Sequence, residues 1–181
     1  MKILVACEYS GRVRDAFIKR GHDAISSDLL PTESPGPHFQ GNVLDILDQD
    51  WDMIIAFPPC TYLTSAGSRW WAERQEEQQR AIDFARKFFY SDCPKIAIEN
   101  PIGKLSTEVA EPNQIIQPWQ FGHPFTKSTC LWLKGLPLLE PTNVVKPLGS
   151  EIHRMPETKA RSKKRSLIYQ GIADAMAEQW G

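Results

Sequence analysis

The chain has 181 residues, 41% of them hydrophobic and 24% charged, with a formal net charge of −1. That supports one sizeable core and excludes two full domains, and so balanced a charge does not announce a polyanionic partner. No apolar run approaches the length of a membrane span and no apolar leader with a cleavage site precedes the first strand, so a cytoplasmic protein with reduced thiols and no membrane partner is expected.

Ile3 to Ala6 reads as a buried strand, and Cys7-Glu8-Tyr9-Ser10-Gly11 as the turn after it. Val13, Ala16 and Phe17 recur at helical spacing over Arg12 to Arg20, with Gly21 as a C-cap. Asp23 to Ser27 is a second strand ending in Asp28, and the Pro- and Gly-rich run from Pro31 to Gly41 is expected to be a loop. Asn42 to Leu47 holds a short helical turn. Asp52 to Ala56 is a strand that must stop at Pro58-Pro59, because proline cannot donate to a ladder.

After a loop from Thr61 to Arg69, apolar residues at Trp71, Ile82, Phe84, Ala85, Phe88 and Phe89 predict one long helix from Trp70 to Tyr90, with Pro94 beyond its end. Lys95 to Ile98 is a strand that ends in Glu99-Asn100-Pro101. Cys130 to Leu133 is another. Ile168, Ile172, Ala175, Met176 and Trp180 line one side of a terminal helix from Leu167 to Trp180. The alternation predicts an α/β fold: a Rossmann-like, doubly wound, mostly parallel sheet with helices on both faces, in a single domain spanning 1–181.

Residues 136–164 lack periodicity and are expected to be irregular and mobile. Lys146 to Arg165 holds seven basic and two acidic residues, a local charge of +5 against −6 for the rest of the chain. Either it is a solvated loop or it is a strip that contacts phosphates. The four cysteines lack C-x-x-C spacing and the four histidines are scattered, so no metal site is expected.

Ligands of open α/β sheets bind beyond the carboxyl ends of the strands. Cys60 and Glu99 both stand at such ends. Singly, one reads as a small buried residue and the other as a loop cap; together they offer a nucleophile and an acid. Pro58-Pro59-Cys60 after one strand and Glu99-Asn100 after the next resemble the catalytic motifs of the cytosine-C5 methyltransferases, whose fold is that of class I methyltransferases. Phe121-Gly122-His123-Pro124-Phe125-Thr126-Lys127-Ser128-Thr129 is similar to the family's Gly-x-Pro-Gln-x-Arg-x-Arg stretch, which helps hold the base.

The resemblance implies S-adenosylmethionine as cofactor, with Cys60, Glu99 and Lys127 as catalytic residues. Carbon 5 of cytosine is a poor nucleophile until a thiolate adds to carbon 6, and an enclosed carboxyl is kept protonated to receive the charge at N3. Cofactor contacts are implied for Cys7, Glu8, Tyr9, Ser10 and Gly11, for Asp28 at the ribose, for Asn42 near the adenine, and for Leu29, Asp45 and Pro58. Substrate contacts are implied for Pro59, Thr61, Tyr62, Asn100, Lys127, Thr129, Arg161, Lys163 and Arg165. Tyr62, Trp70 and Trp71 either stack on a flipped base or pack against the core, with Trp71 assigned to packing.

The pattern departs from the family in several places. Glu8 and Ser10 replace glycines of Phe-x-Gly-x-Gly-Gly, and Ala6 replaces its aromatic residue. Thr61 stands for glutamine and Thr129 for an arginine. About thirty residues separate Leu133 from Lys164, too few for a target-recognition domain. The expected partner is therefore DNA, duplex or single-stranded, or else a cytidine nucleotide or RNA, read by the basic segment alone, by a homodimer or by a separate specificity partner. A non-catalytic nucleic-acid-binding relic of the fold is the rival from another class. Such a protein would sit in the cytoplasm, at a bacterial nucleoid or as a phage product.

Overall fold

The computed structural model describes residues 1–150 and 166–181. Seven strands form one sheet: β1 (Lys2–Ala6), β2 (Asp23–Asp28), β3 (His38–Gln40), β4 (Met53–Ala56), β5 (Ile96–Pro101), β6 (Gln114–Ile116) and β7 (Thr129–Lys134), in the order β3-β2-β1-β4-β5-β7-β6. Strands β1 to β5 are mutually parallel where they pair; β7 lies antiparallel between β5 and β6. This is the Rossmann-like fold of class I methyltransferases.

Strand alternation sends successive side chains to opposite faces. Ile3, Val5, Met53, Ile55, Ala97 and Leu131 face one layer, where helix α1 (Arg12–Lys19) supplies Val13, Ala16 and Phe17 and the terminal helix supplies Ile172, Ala173, Met176 and Trp180. Leu4, Ala6, Ile54, Ala56, Ile96, Ile98 and Trp132 face the other, where helix α2 (Gln75–Phe89) buries Ile82, Ala85 and Phe88. A short helix α3 (Leu105–Glu108) follows β5, and the terminal helix, α4, is Gln170–Trp180. The expected two-faced sheet is what forms. No helix among the described residues is long and apolar enough to cross a membrane.

Several expectations need correction. The Pro31–Gly41 run ends in a strand: His38 to Gln40 pairs with Ser26 to Asp28 and forms the sheet edge. The single helix from Trp70 to Tyr90 is two. A 3-10 helix, Ser65–Glu73, gives way at Arg74 to α2, because the apolar stripe that holds a helix to the sheet begins only in the second. Strand β5 does not end at Ile98 but runs through Glu99 and Asn100 to Pro101, held by pairing with Leu131, Cys130 and Thr129 of β7. The terminal helix starts three residues late, although Ile168 is still buried.

The 136–164 segment was expected to be irregular, and residues 136–150 carry no helix or strand. They are nonetheless bound along their length. Leu139 is fully buried and exchanges two hydrogen bonds with the Gln114 side chain at 2.7 and 2.8 Å. The amides of Asn143, Val145 and Leu148 donate to Gln120, Trp119 and Pro124, so this stretch of apolar Leu and Val punctuated by prolines is strapped to the β6–β7 connection.

Candidate active site

The order of the sheet reverses between β1, which leads outward to β2 and β3, and β4, which leads the other way to β5. The turn after β1 and the loop after β4 meet at that switch point, and the Phe57 amide donates to the Ala6 carbonyl at 3.0 Å. A crevice at a switch point is where an open α/β sheet takes its ligand.

The loop that carries Cys60 is stitched to the strand that carries Glu99. Beyond the last β4–β5 pair, Ala56 with Ile98, the chain turns at Pro58-Pro59. Asn100 Nδ2 donates to the Pro58 carbonyl at 2.7 Å. The Cys60 carbonyl accepts from the amides of Leu63 and Thr64, both at 3.0 Å, which curls the loop into a turn. Thr64 then bridges Gly103, and the Lys104 amide donates to the Leu63 carbonyl at 2.8 Å. A Cβ at Gly103 would stand 2.0 Å from that carbonyl oxygen, so only glycine allows the approach. Buried Gln78 of α2 adds a bond from Nε2 to the Tyr62 carbonyl.

Because side chains alternate, Asn100 serves the loop while Glu99 faces the other side of β5. Glu99 is 8% exposed. Burial pushes its carboxyl above the ordinary carboxylate range, and the Lys127 cation partly counters that shift. Lys127 lies on the connection into β7, where its amide donates to Gln117 Oε1 at 2.9 Å. Thr129, the expected base-holding residue, is buried in β7 with its hydroxyl donating to the Lys127 carbonyl, so it shapes that connection from inside. The other cysteines are poor nucleophiles. Burial pushes Cys7 up to about 12, with Asp28 adding to the shift, and burial likewise raises Cys93 and Cys130, so all three are held as neutral thiols.

At the turn after β1, where the resemblance implies cofactor contacts, the two residues expected to replace glycines are turned inward. Glu8 and Ser10 are buried; the Ser10 hydroxyl donates to Glu8 Oε1. Burial raises the Glu8 carboxyl, while the Ser10 hydroxyl, the Arg12 amide, Arg14 and the Gly11 amide act to lower it. The carboxyl thus meets the start of α1, where the amides of Gly11 and Arg12 donate to it. Cys7 and Gly11 take positive φ of 59° and 78°, which folds the turn back on itself. The Tyr9 hydroxyl pairs with Ser166 Oγ at 3.1 Å.

Sequence reasoning missed Arg14, which is fully buried. Its guanidinium reaches Asp15, Ser26 and Thr32 side chains and the carbonyls of Ser34, Pro35 and Pro37, and it so fastens the 32–37 loop against the switch-point turn. A helical arginine on an apolar face, upstream of a Pro-rich loop with orphan carbonyls, was the available signal.

Asp28 stands at the end of β2 and its carboxylate accepts from the Leu30 amide, with Leu29 74% exposed beside it. Asn42 caps the 3-10 turn Val43–Asp45 by accepting from the Leu44 amide, and Asp45 is exposed. Pro58 is buried; Pro59 and Thr61 are exposed beside Cys60, and Tyr62 is half-buried. Trp71, assigned to packing, is half-buried under Lys104. Arg161, Lys163 and Arg165 lie outside the described residues.

No family model matches the chain, and no curated protein sequence matches it. Among solved structures it is similar to EhMeth, a methyltransferase of Entamoeba histolytica, at 12% identity and a TM-score of 0.53, covering 83% of this chain and 57% of that one. A DNMT2 mutant of Spodoptera frugiperda is also found, at 17% identity and a TM-score of 0.41, with 81% and 54% covered. The first likeness shows the fold. The chain spans little more than half the length of either protein.

Proposed function

We propose that this chain transfers the methyl group of S-adenosylmethionine to carbon 5 of cytosine, in DNA, through a covalent bond between Cys60 and carbon 6. One observation carries the reading: a thiol stands on the loop after β4 and a buried carboxyl, raised by that burial, on the adjacent parallel strand β5, with the thiol loop clamped to the carboxyl strand by Asn100. A structural role needs neither group, and the clamp fixes their relation.

The switch-point residues fit this cofactor better than a phosphorylated one. The Glu8 carboxyl already occupies the amino end of α1, where a dinucleotide would set its phosphates. Asp28 would take the ribose hydroxyls, Leu29 would cover the base, and the Cys7–Gly11 turn would line the amino-acid end. When bound, the cofactor supplies an electrophilic methyl group.

Cys60, as thiolate, adds to carbon 6 of the ring, and Glu99 gives its proton to N3 as the electron pair moves there. Carbon 5 takes the methyl group. Loss of the carbon-5 proton to solvent then expels the Cys60 thiolate, and Glu99 recovers the N3 proton. Lys127 limits how far the Glu99 carboxyl is raised, so the proton can leave.

Incubation with a 5-fluorocytosine oligonucleotide and cofactor tests the scheme, since fluorine cannot leave as a proton. A stable adduct is expected with the wild type and none with Cys60→Ser. An adduct-free wild type that still binds S-adenosylhomocysteine would point instead to a binding relic. Labelled cofactor offered with duplex DNA, single-stranded DNA, tRNA and dCMP ranks the acceptors.

A further inference from the structure

The segment after Cys60 is unusual for its position. Ser65–Glu73 buries none of its side chains, yet it carries two tryptophans. Trp70 is 42% exposed. The guanidinium carbons of Arg69 and Arg74 lie 5.1 and 5.8 Å from its ring centroid. Arg74 also lies 6.0 Å from the Tyr62 ring, so one cation links two aromatic side chains. An exposed indole adds nothing to the core, and two guanidinium groups held against its ring are cations already ordered at the surface.

Rings alternating with guanidinium groups suit unpaired nucleic acid: bases stack on the rings while the cations neutralise phosphates, with little regard to sequence. An intact duplex keeps its bases in its own stack and offers nothing to such a ring. Glu73 stands between Trp70 and Arg74, and Glu76 and Glu77 are exposed past Arg74, Glu76 paired with Arg80, so the strip is only a few nucleotides long.

We infer that Tyr62, Arg69, Trp70 and Arg74 form a stacking platform for single-stranded nucleic acid, laid beside Cys60 in the place of a target-recognition domain. The platform holds the nucleotides that flank the reacting base, so that no duplex has to be opened by the protein. What the strand is held for rests on the proposed methyl transfer; the binding itself does not.

Fluorescence anisotropy with short labelled oligo-dC, oligo-rC and a duplex of equal length tests it on the full chain. Both single strands are expected to bind more tightly than the duplex, and the tighter of the two assigns the sugar. Trp70→Ala should weaken single-strand binding by roughly tenfold, Trp70→Phe should keep most of it, and an Arg69→Ala/Arg74→Ala double variant should flatten the salt dependence by about one unit of slope. An unchanged melting temperature for the variants separates lost contact from lost fold. Equal affinity of Trp70→Ala and wild type, or a duplex bound as tightly as the single strands, overturns the inference. A strand bound through Trp70 but never linked to Cys60 leaves the platform standing and removes the methyl transfer; an adduct indifferent to Trp70 does the reverse.

Discussion

Asn100 Nδ2 and the Pro58 carbonyl oxygen are joined across 2.7 Å, out of reach of water. This bond ties the strand of the carboxyl to the loop of the thiol, and nothing else can satisfy that carbonyl where it lies. Asn100→Ala removes the donor and leaves the oxygen buried and unpaired, a cost of about 1–3 kcal/mol. The urea midpoint should fall accordingly. The rate of adduct formation at Cys60 should fall further than the lost stability accounts for, since the loop is freed even in molecules that remain folded.

Gly103→Ala strains the same region from the other side. Its Cβ would meet the Leu63 carbonyl oxygen at 2.0 Å, a backbone atom that cannot swing aside. The Thr64–Gly103 bridge must open, at a cost of about 1–3 kcal/mol. Cys60 should then alkylate faster with iodoacetamide while forming less adduct with 5-fluorocytosine. A variant with wild-type values of both would show that the bridge does not hold the thiol.

Glu99 makes stability depend on pH in a defined direction. Its folded carboxyl is raised by burial above the unfolded value. The stability it contributes is therefore complete below the ordinary carboxylate range and is lost as pH rises through the raised folded value. Glu99→Gln cannot ionise, so the variant should gain on the wild type in urea melts as pH rises from acid to neutral. Methyl transfer should fall by about 10²–10⁴-fold at the same time. A constant stability gap across that pH range would mean that Glu99 is not held neutral.

Arg14 is a buried cation that draws together the carbonyls of a loop anchored besides by the Glu33 amide on the Tyr9 carbonyl and the Ser34 hydroxyl on Asp15. Arg14→Met leaves buried carbonyl oxygens without a donor, and a loss of about 1–3 kcal/mol is expected. Limited proteolysis should cut near residues 32–37 before any other site. Affinity for S-adenosylhomocysteine should drop as the adjoining turn loosens.

How much of this could be read from the sequence depended on whether a residue's role was local. Strands β1, β4 and β7 are dense apolar runs that declare themselves, and Pro58-Pro59 marks a stop by its own chemistry. Strands β3 and β6 have three residues each, too short to show an alternation; they exist because β2 and β7 offer them an edge, which no local pattern records. Glu99 was placed past a strand end because a Glu-Asn-Pro sequence reads as a terminus. Pairing with β7 overrides that and keeps the carboxyl inside the sheet. The loop of Cys60 and the strand of Glu99 are legible as two motifs in order, and the strands that lead to them are neighbours in the sheet. The Asn100 clamp, the Arg14 hub and the inward turn of Glu8 are not legible, since each joins residues distant in sequence through a single side chain.

The insertion of β7 between β5 and β6 sets a timetable for synthesis. Strand β6 leaves the ribosome first but has no partner until β7 arrives, and the Glu99 side of β5 stays an open edge until then. Lys127 lies just before β7 and joins Glu99 only in the same event. A nascent chain therefore carries the Cys60 loop early but completes the surroundings of Glu99 late, so the two halves of the proposed site mature at different times.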